Sequence, residues 1–110
     1  MKRYRLSDLN DTCEGHFLEG LVEGSGLRGG GLSFHTAGRR THTADGPGGE
    51  DRHVHEDHEV FVILQGKAVM ELNGRPHRLT TGDIFVVEPG EDHHLVADRD
   101  DPCVTLWLHV

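Results

Sequence analysis

Apolar and polar positions alternate along short stretches of the chain, and turn residues separate each stretch from the next. Alternation with a period of two is typical of β-strands, whose side chains point to opposite faces in turn. Helical periodicity is almost absent, apart from a short helical turn over 6–9. The pattern therefore predicts an all-β sandwich or barrel. The predicted strands are 16–23, 32–36, 60–65, 68–72, 76–79, 84–87, 94–97 and 103–110.

Three local patterns sharpen this prediction. The stretch 60–65 is apolar on both faces, which indicates a central strand covered from two sides. Asn73-Gly74 lies between two alternating stretches and predicts a tight hairpin. The stretch 24–31 contains five glycines, and we expect it to form a turn.

Length and composition set the scale of the fold. The chain has 110 residues, so we expect a single domain spanning 1–110. Hydrophobic residues make up 35% and aromatics 5%, which predicts a thin core that a metal ion or a homodimer would reinforce. Cys13 and Cys103 form no CxxC pair, and we interpret Cys103 as a small buried hydrophobe.

Charge excludes some partners. The net charge is -8 with neutral histidine, and no block of lysine and arginine is present. Nucleic acid and anionic membranes are therefore not expected as main partners. The first residues lack the apolar core of a signal peptide, and no run of 18 apolar residues occurs, so a cytoplasmic location is predicted.

The candidate chemistry lies in two histidine-containing stretches. His53, His55 and Glu59 are two and four residues apart, so on one strand they would share a face. A second stretch, 82–94, can bring another imidazole to the same point. Neutral imidazole and carboxylate are good ligands for Zn, Fe, Ni and Mn. The alternative is a solvated, histidine-rich edge, since the chain contains 10 histidines.

The first stretch resembles the first motif of the cupin superfamily, G-x5-H-x-H-x3,4-E-x6-G. His53, His55, Glu59 and Gly66 fall in register with that motif. The leading glycine position holds Pro47.

The second stretch resembles the second cupin motif, G-x5-P-x-G-x2-H-x3-N. Gly82, Gly90 and His93 fall in register. The proline position holds Glu88, and the last position holds Ala97 in place of asparagine. Neither departure affects a candidate ligand.

The resemblance implies a cupin-type jelly roll, a double-stranded β-helix barrel, with the motifs at about 46–66 and about 82–97. It also implies one divalent transition metal ion (Zn, Fe, Ni or Mn) inside the barrel. The implied metal ligands are His53, His55, Glu59 and His93. Motif spacing favours His93 over its neighbour His94, although strand register after a Pro-Gly turn leaves both open.

Two functions remain as the main hypotheses, and a barrel without metal, whose histidines contact a sugar or acid directly, is a third alternative. One is a metal-dependent enzyme, such as a dioxygenase or isomerase acting on a small organic acid or phenolic compound. The other is a non-catalytic module that binds metal or senses a small ligand. Arg39 or Arg40 is a candidate for an anionic ligand, and His35 is the best additional acid or base. Trp107 is interpreted as core or dimer interface, with a substrate platform as the alternative.

Overall fold

The protein is described from a computed structural model, which covers residues 1–8, 22, 26–41 and 52–110. These residues form eight strands and one short 3-10 helix, Leu6–Asp8. No helix among them has the length and apolarity that crossing a bilayer requires. The strands are β1 (Lys2–Arg5), β2 (Gly29–Phe34), β3 (Glu59–Gln65), β4 (Lys67–Leu72), β5 (Arg75–Thr80), β6 (Asp83–Val87), β7 (His93–Ala97) and β8 (Val104–His109).

The strands form two antiparallel sheets. A five-stranded sheet has the order β1-β6-β3-β8-β2, and a three-stranded sheet has the order β5-β4-β7. Strands that are distant in sequence lie side by side in both sheets, as expected for a jelly roll. The predicted all-β fold is confirmed.

Apolar side chains of both sheets form the main core between them. Phe61 and Phe85 come from the larger sheet, whereas Met70 and Leu95 come from the smaller one. A second apolar cluster lies on the other face of the larger sheet. It contains the residues that alternate with those of the main core, including Val60 of β3 and Val86 of β6. β3 therefore contributes to two apolar clusters, which confirms the prediction of a strand covered on both faces.

The predicted hairpin joins β4 to β5. Its two turn residues, Asn73 and Gly74, have φ values of 48° and 80°. Positive φ at both positions is what a two-residue hairpin loop of type I′ requires, and asparagine and glycine tolerate it. The turn sets the register in which Leu72 lies opposite Arg75.

The glycine-rich stretch differs from the prediction. Gly29, Gly30 and Gly31 belong to β2 and pair with β8 instead of forming a turn. A Cβ on Gly31 would lie 2.9 Å from the Trp107 ring, so the missing side chain makes room for the indole. Cys103 lies just before β8 and is buried in the main core, as expected. Of the predicted strand 16–23, only Val22 lies within the described residues.

β1 was not predicted, because its sequence is polar. It pairs with β6 at the edge of the larger sheet. Arg5 donates to Asp83 Oδ1 at 2.6 Å, and Arg3 donates to Asp83 Oδ2 at 3.0 Å. Asp83 is only 2% exposed. These charge-assisted hydrogen bonds attach β1 and satisfy a buried carboxylate.

Candidate metal centre

The two histidine-containing stretches lie against each other. His53 and His55 precede β3 in an extended segment outside the strands, so the expectation that one strand carries both histidines and Glu59 is wrong. The His93 amide donates to the His53 carbonyl at 3.1 Å, and the Gly90 amide donates to the His55 carbonyl at 3.0 Å. This segment therefore pairs with the second stretch, and a bend at residues 56–57 leads into β3.

The side chains of His53, His55, Glu59 and His93 converge. One donor atom from each lies within 4.8 Å of the donor atoms of the other three. His93 Nε2 lies 2.8 Å from Glu59 Oε1, and His55 Nε2 lies 3.0 Å from His53 Nε2. We call these four residues the donor group.

The surroundings of the donor group leave one side accessible. Glu59 and His93 are buried at the ends of their strands, whereas His53 and His55 are half-buried. The three imidazoles contact one another edge to face, with ring centroids 4.7 to 4.8 Å apart. A ligand can therefore approach from the side of His53 and His55.

The chemistry of the donor group fits a divalent cation. His93 Nδ1 lies 3.0 Å from the Glu91 carbonyl, which can only accept, so Nδ1 carries a proton. In the neutral ring, the Nε2 lone pair then faces the group. Three neutral imidazoles and one carboxylate are typical ligands of Zn, Fe, Ni or Mn, and the carboxylate offsets part of the ion's charge.

The pKa values of two histidines move in opposite directions. Burial lowers the pKa of His55, and the attraction of Glu59 only partly opposes it. Burial also acts to lower the pKa of His93, but hydrogen bonds to Glu59 and the Glu91 carbonyl outweigh it and raise that pKa. In the metal-free protein, His93 is therefore protonated more readily than His55.

A second group of side chains adjoins the first and was not predicted. His109 Nε2 lies 3.2 Å from Glu59 Oε2, and His109 Nδ1 lies 3.1 Å from Asp57 Oδ1. Asp57 also lies 3.4 Å from His55 Nδ1. Burial acts to raise the pKa of Asp57, but the hydrogen bond and charge of His109 lower it. The sequence signal was the alternation of β8, which places His109 on the face of Trp107.

His94 and His58 lie outside the donor group. His94 is 2% exposed, and its Nδ1 donates to the Thr41 carbonyl at 2.9 Å. Its Nε2 is 3.2 Å from Asp92 Oδ1 without the geometry of a hydrogen bond. His58 pairs through its backbone with Val110 at the end of β8.

A cavity of about 600 Å³ adjoins the donor group. Its walls include apolar side chains from both sheets, such as Phe61, Leu95 and Trp107. His35 also lines it, hydrogen-bonded to Thr105 Oγ1 at 2.9 Å, and burial lowers the pKa of His35. This volume is sufficient for a small organic molecule.

The two candidate arginines differ in their surroundings. Both line the cavity, but Arg40 Nε donates to Glu71 Oε1 at 2.5 Å. The Arg39 side chain is exposed, and no ion pair of its guanidinium is found with the described residues. The sequence made the same prediction for both arginines, whereas in the structure they differ in ion pairing among the described residues.

Comparison with known proteins agrees with this architecture. A family model described as "Cupin domain" matches residues 39–109, more than half of the chain. The chain belongs to the cupin family.

Solved cupin structures share the fold. A cupin protein from Bacteroides fragilis superimposes with a TM-score of 0.62 at 24% identity, over 74% of this chain and 63% of that one. A predicted oxalate decarboxylase from Thermotoga maritima gives a TM-score of 0.60 at 20% identity, over 76% and 66%. At these identities the likeness concerns the fold alone.

Part of this chain is similar in sequence to a regulatory protein. The HTH-type transcriptional activator RhaR from Enterobacter is 39% identical over 49 residues, which is 44% of this chain. The chain spans only 17% of that relative's length.

Proposed function

We propose that this cupin binds one divalent transition metal ion through His53, His55, Glu59 and His93. The convergence of their four donor atoms within 4.8 Å carries this proposal. When bound, such an ion would supply a Lewis acid or redox centre with positions open to a ligand. Iron, zinc, nickel and manganese all accept these nitrogen and oxygen donors.

Neighbouring residues would position the donor group. Asp57 Oδ1 lies 3.4 Å from His55 Nδ1, and its negative charge there favours the tautomer whose Nε2 lone pair faces the group. His109 lies between Asp57 and Glu59 Oε2, which restrains the Glu59 carboxylate and supports use of Oε1 as the donor. The chain thus contributes an outer layer of partners as well as ligands.

The proposed reaction is a metal-dependent dioxygenation or isomerisation of a small organic acid or phenolic compound. The cavity beside the donor group supports it, because a substrate there would contact both the metal-binding side and an apolar wall. His35 lies on that wall and would serve as an additional acid or base, and its lowered pKa keeps it neutral near pH 7. Oxygen uptake by the iron-loaded protein over a panel of such compounds tests the reaction.

A ligand-sensing module is the second candidate. Its support is the partial likeness to RhaR, a transcriptional activator. A sensor would bind a compound and metal without turnover, and binding would change its association with a partner protein. Saturable ligand binding with no substrate consumption over hours would favour this candidate over an enzyme.

We further propose a cytoplasmic homodimer. Among the described strands, β2 lies at the edge of the larger sheet, and its Leu32 and Phe34 side chains are 53% and 76% exposed. Exposed apolar residues on an edge strand are suited to pairing with a second copy. Sedimentation equilibrium of the native protein and of Leu32→Ser tests the dimer.

Metal analysis tests the central proposal. Purified protein should contain close to one ion per chain, and Glu59→Gln should weaken binding, because an amide lacks the carboxylate charge. His58→Gln is the matched control, since His58 lies next to Glu59 but outside the donor group. Equal metal content in all three proteins would contradict the proposed ligands.

A further inference from the structure

We propose that the cavity takes a small aromatic carboxylate, with Arg39 pairing with the carboxylate and Trp107 contacting the ring. The inference rests on the proposed function in one respect, namely that the cavity beside the donor group is the ligand site. It assigns a ligand class and two recognition residues to that site.

The charges around the cavity favour an anion. Glu59 is the only acidic residue among the described lining residues, and its two oxygens face His93 and His109. Arg40 is paired with Glu71, which leaves the Arg39 guanidinium to supply a positive charge at the cavity. A bound divalent ion would outweigh the single charge of Glu59 and add to this attraction.

The main chain holds Arg39 at the cavity. Its amide donates to the Thr36 carbonyl at 3.0 Å, and its carbonyl accepts from the Ala97 amide at 3.0 Å. Two residues later, the Thr41 amide donates to the Leu95 carbonyl. The segment is therefore anchored along β7, and a guanidinium on it can pair with a carboxylate through two hydrogen bonds.

The Trp107 indole forms a fixed, flat part of the wall. Its Nε1 donates to Ser33 Oγ at 2.9 Å, and the six-membered ring lies against Gly31, where a Cβ would be only 2.9 Å from Cζ2. The side chain is half-buried and lines the cavity together with Phe61. A preformed aromatic wall of this kind suits the face or edge of a ligand ring.

Three hydroxyl groups of the wall have hydrogen-bond partners within the protein. Ser33 Oγ accepts from Trp107, and Thr41 Oγ1 accepts from the Leu95 amide at 3.0 Å. Thr105 Oγ1 is hydrogen-bonded to His35. Each hydroxyl keeps capacity for a further hydrogen bond, so what favours an aromatic ring is the apolar part of the wall, formed by Phe61, Leu95 and Trp107.

The sequence contains one tryptophan, so intrinsic fluorescence reports on Trp107 directly. The probes are benzoate, its neutral analogue benzamide, and the non-aromatic cyclohexanecarboxylate, each titrated into metal-free and zinc-loaded protein. Benzoate should change the emission saturably and bind at least about tenfold tighter than benzamide, because a charge-assisted hydrogen bond is lost in the amide. Cyclohexanecarboxylate should bind more weakly than benzoate.

Two arginine variants locate the carboxylate. Arg39→Gln should weaken benzoate binding by about tenfold or more and leave benzamide binding nearly unchanged. Arg75→Gln removes the same charge from the hairpin of β5 and should bind benzoate like the native protein. Circular dichroism verifies that both variants fold.

Several outcomes would overturn the inference. These are no saturable benzoate binding up to millimolar concentration, native affinity in Arg39→Gln, or equal affinity for cyclohexanecarboxylate. Calorimetry with Trp107→Leu gives an independent measurement, and unchanged benzoate affinity there would also count against it. Metal content is measured separately, so loss of benzoate binding with normal metal binding refutes this inference and leaves the proposed metal site standing.

Discussion

Asp57 lies between two histidines, 3.4 Å from His55 Nδ1 and 3.1 Å from His109 Nδ1. This carboxylate connects the donor group to the end of β8. It lies outside the donor group, and its negative charge beside Nδ1 favours the His55 tautomer whose Nε2 lone pair faces that group.

Asp57→Asn should therefore weaken metal binding while leaving the number of sites unchanged. Partners of this kind typically contribute about 10–100-fold in metal affinity, and we expect a loss in that range. Competition with a chromophoric chelator measures the affinity. Glu56→Gln, an exposed neighbour, should behave like the native protein, and equal losses in the two variants would point to net charge as the cause.

Removal of a donor imidazole should have a larger effect. His55→Ala should reduce metal content by more than about tenfold, since a direct ligand contributes at least as much as an outer partner. The fold should change little, because His55 is half-buried and outside the strands. Elemental analysis of the purified variant gives the result, and an unchanged ratio of metal to chain would show that His55 is not a ligand.

Metal binding should fall as the pH falls through the imidazole range. Protonated imidazole cannot coordinate, and the raised pKa of His93 means that this ring is protonated before that of His55 as the pH falls. The lowered pKa of His55 keeps that ring neutral to lower pH. Equilibrium dialysis at a series of pH values checks this, and full metal retention well below pH 5 would contradict a site dominated by histidine.

In the metal-free protein, the contribution of His93 to the free energy of unfolding should decrease as the pH rises. Because the folded protein raises the pKa of His93 above its ordinary value, protonation of the ring stabilises the fold. That contribution is complete when the pH is below the pKa of His93 in the unfolded chain. It is lost as the pH rises through the pKa of His93 in the folded protein. The difference in free energy of unfolding between native protein and His93→Gln should shrink over this interval. Urea denaturation at a series of pH values measures this difference, and a difference that does not change with pH would contradict the role of His93.

Gly31→Ala should displace the Trp107 indole. The added Cβ would meet ring atoms at 2.9 and 3.0 Å, closer than such atoms approach in proteins, so the indole or β2 must shift. We expect a changed emission maximum and a loss of about 1–3 kcal/mol in stability. Gly29→Ala is the matched control, because its Cβ would meet nothing within 4 Å.

Local patterns in the sequence predicted most of the strands. The alternation of β8 and the double-sided apolar character of β3 follow from a period of two, which needs no knowledge of the partner strand. β1 escaped prediction because it is polar and depends on Asp83, which lies about 80 positions further along the chain. The glycine-rich sequence of β2 was predicted to be a turn. The local sequence does not show the contact that requires glycine there, because the Trp107 ring belongs to another strand.

The sequence alone determined the all-β class, the family, and the spacing that places His53, His55 and Glu59 within one short segment. Only the tertiary structure decided which of His93 and His94 faces them, because the register of β7 against β4 sets that choice. It also decided that Arg40 pairs with Glu71 and that His109 reaches Glu59. The physical reason is the separation of the residues along the sequence. Side-chain direction along a strand is a local property, whereas contacts between residues tens of positions apart depend on strand register and packing.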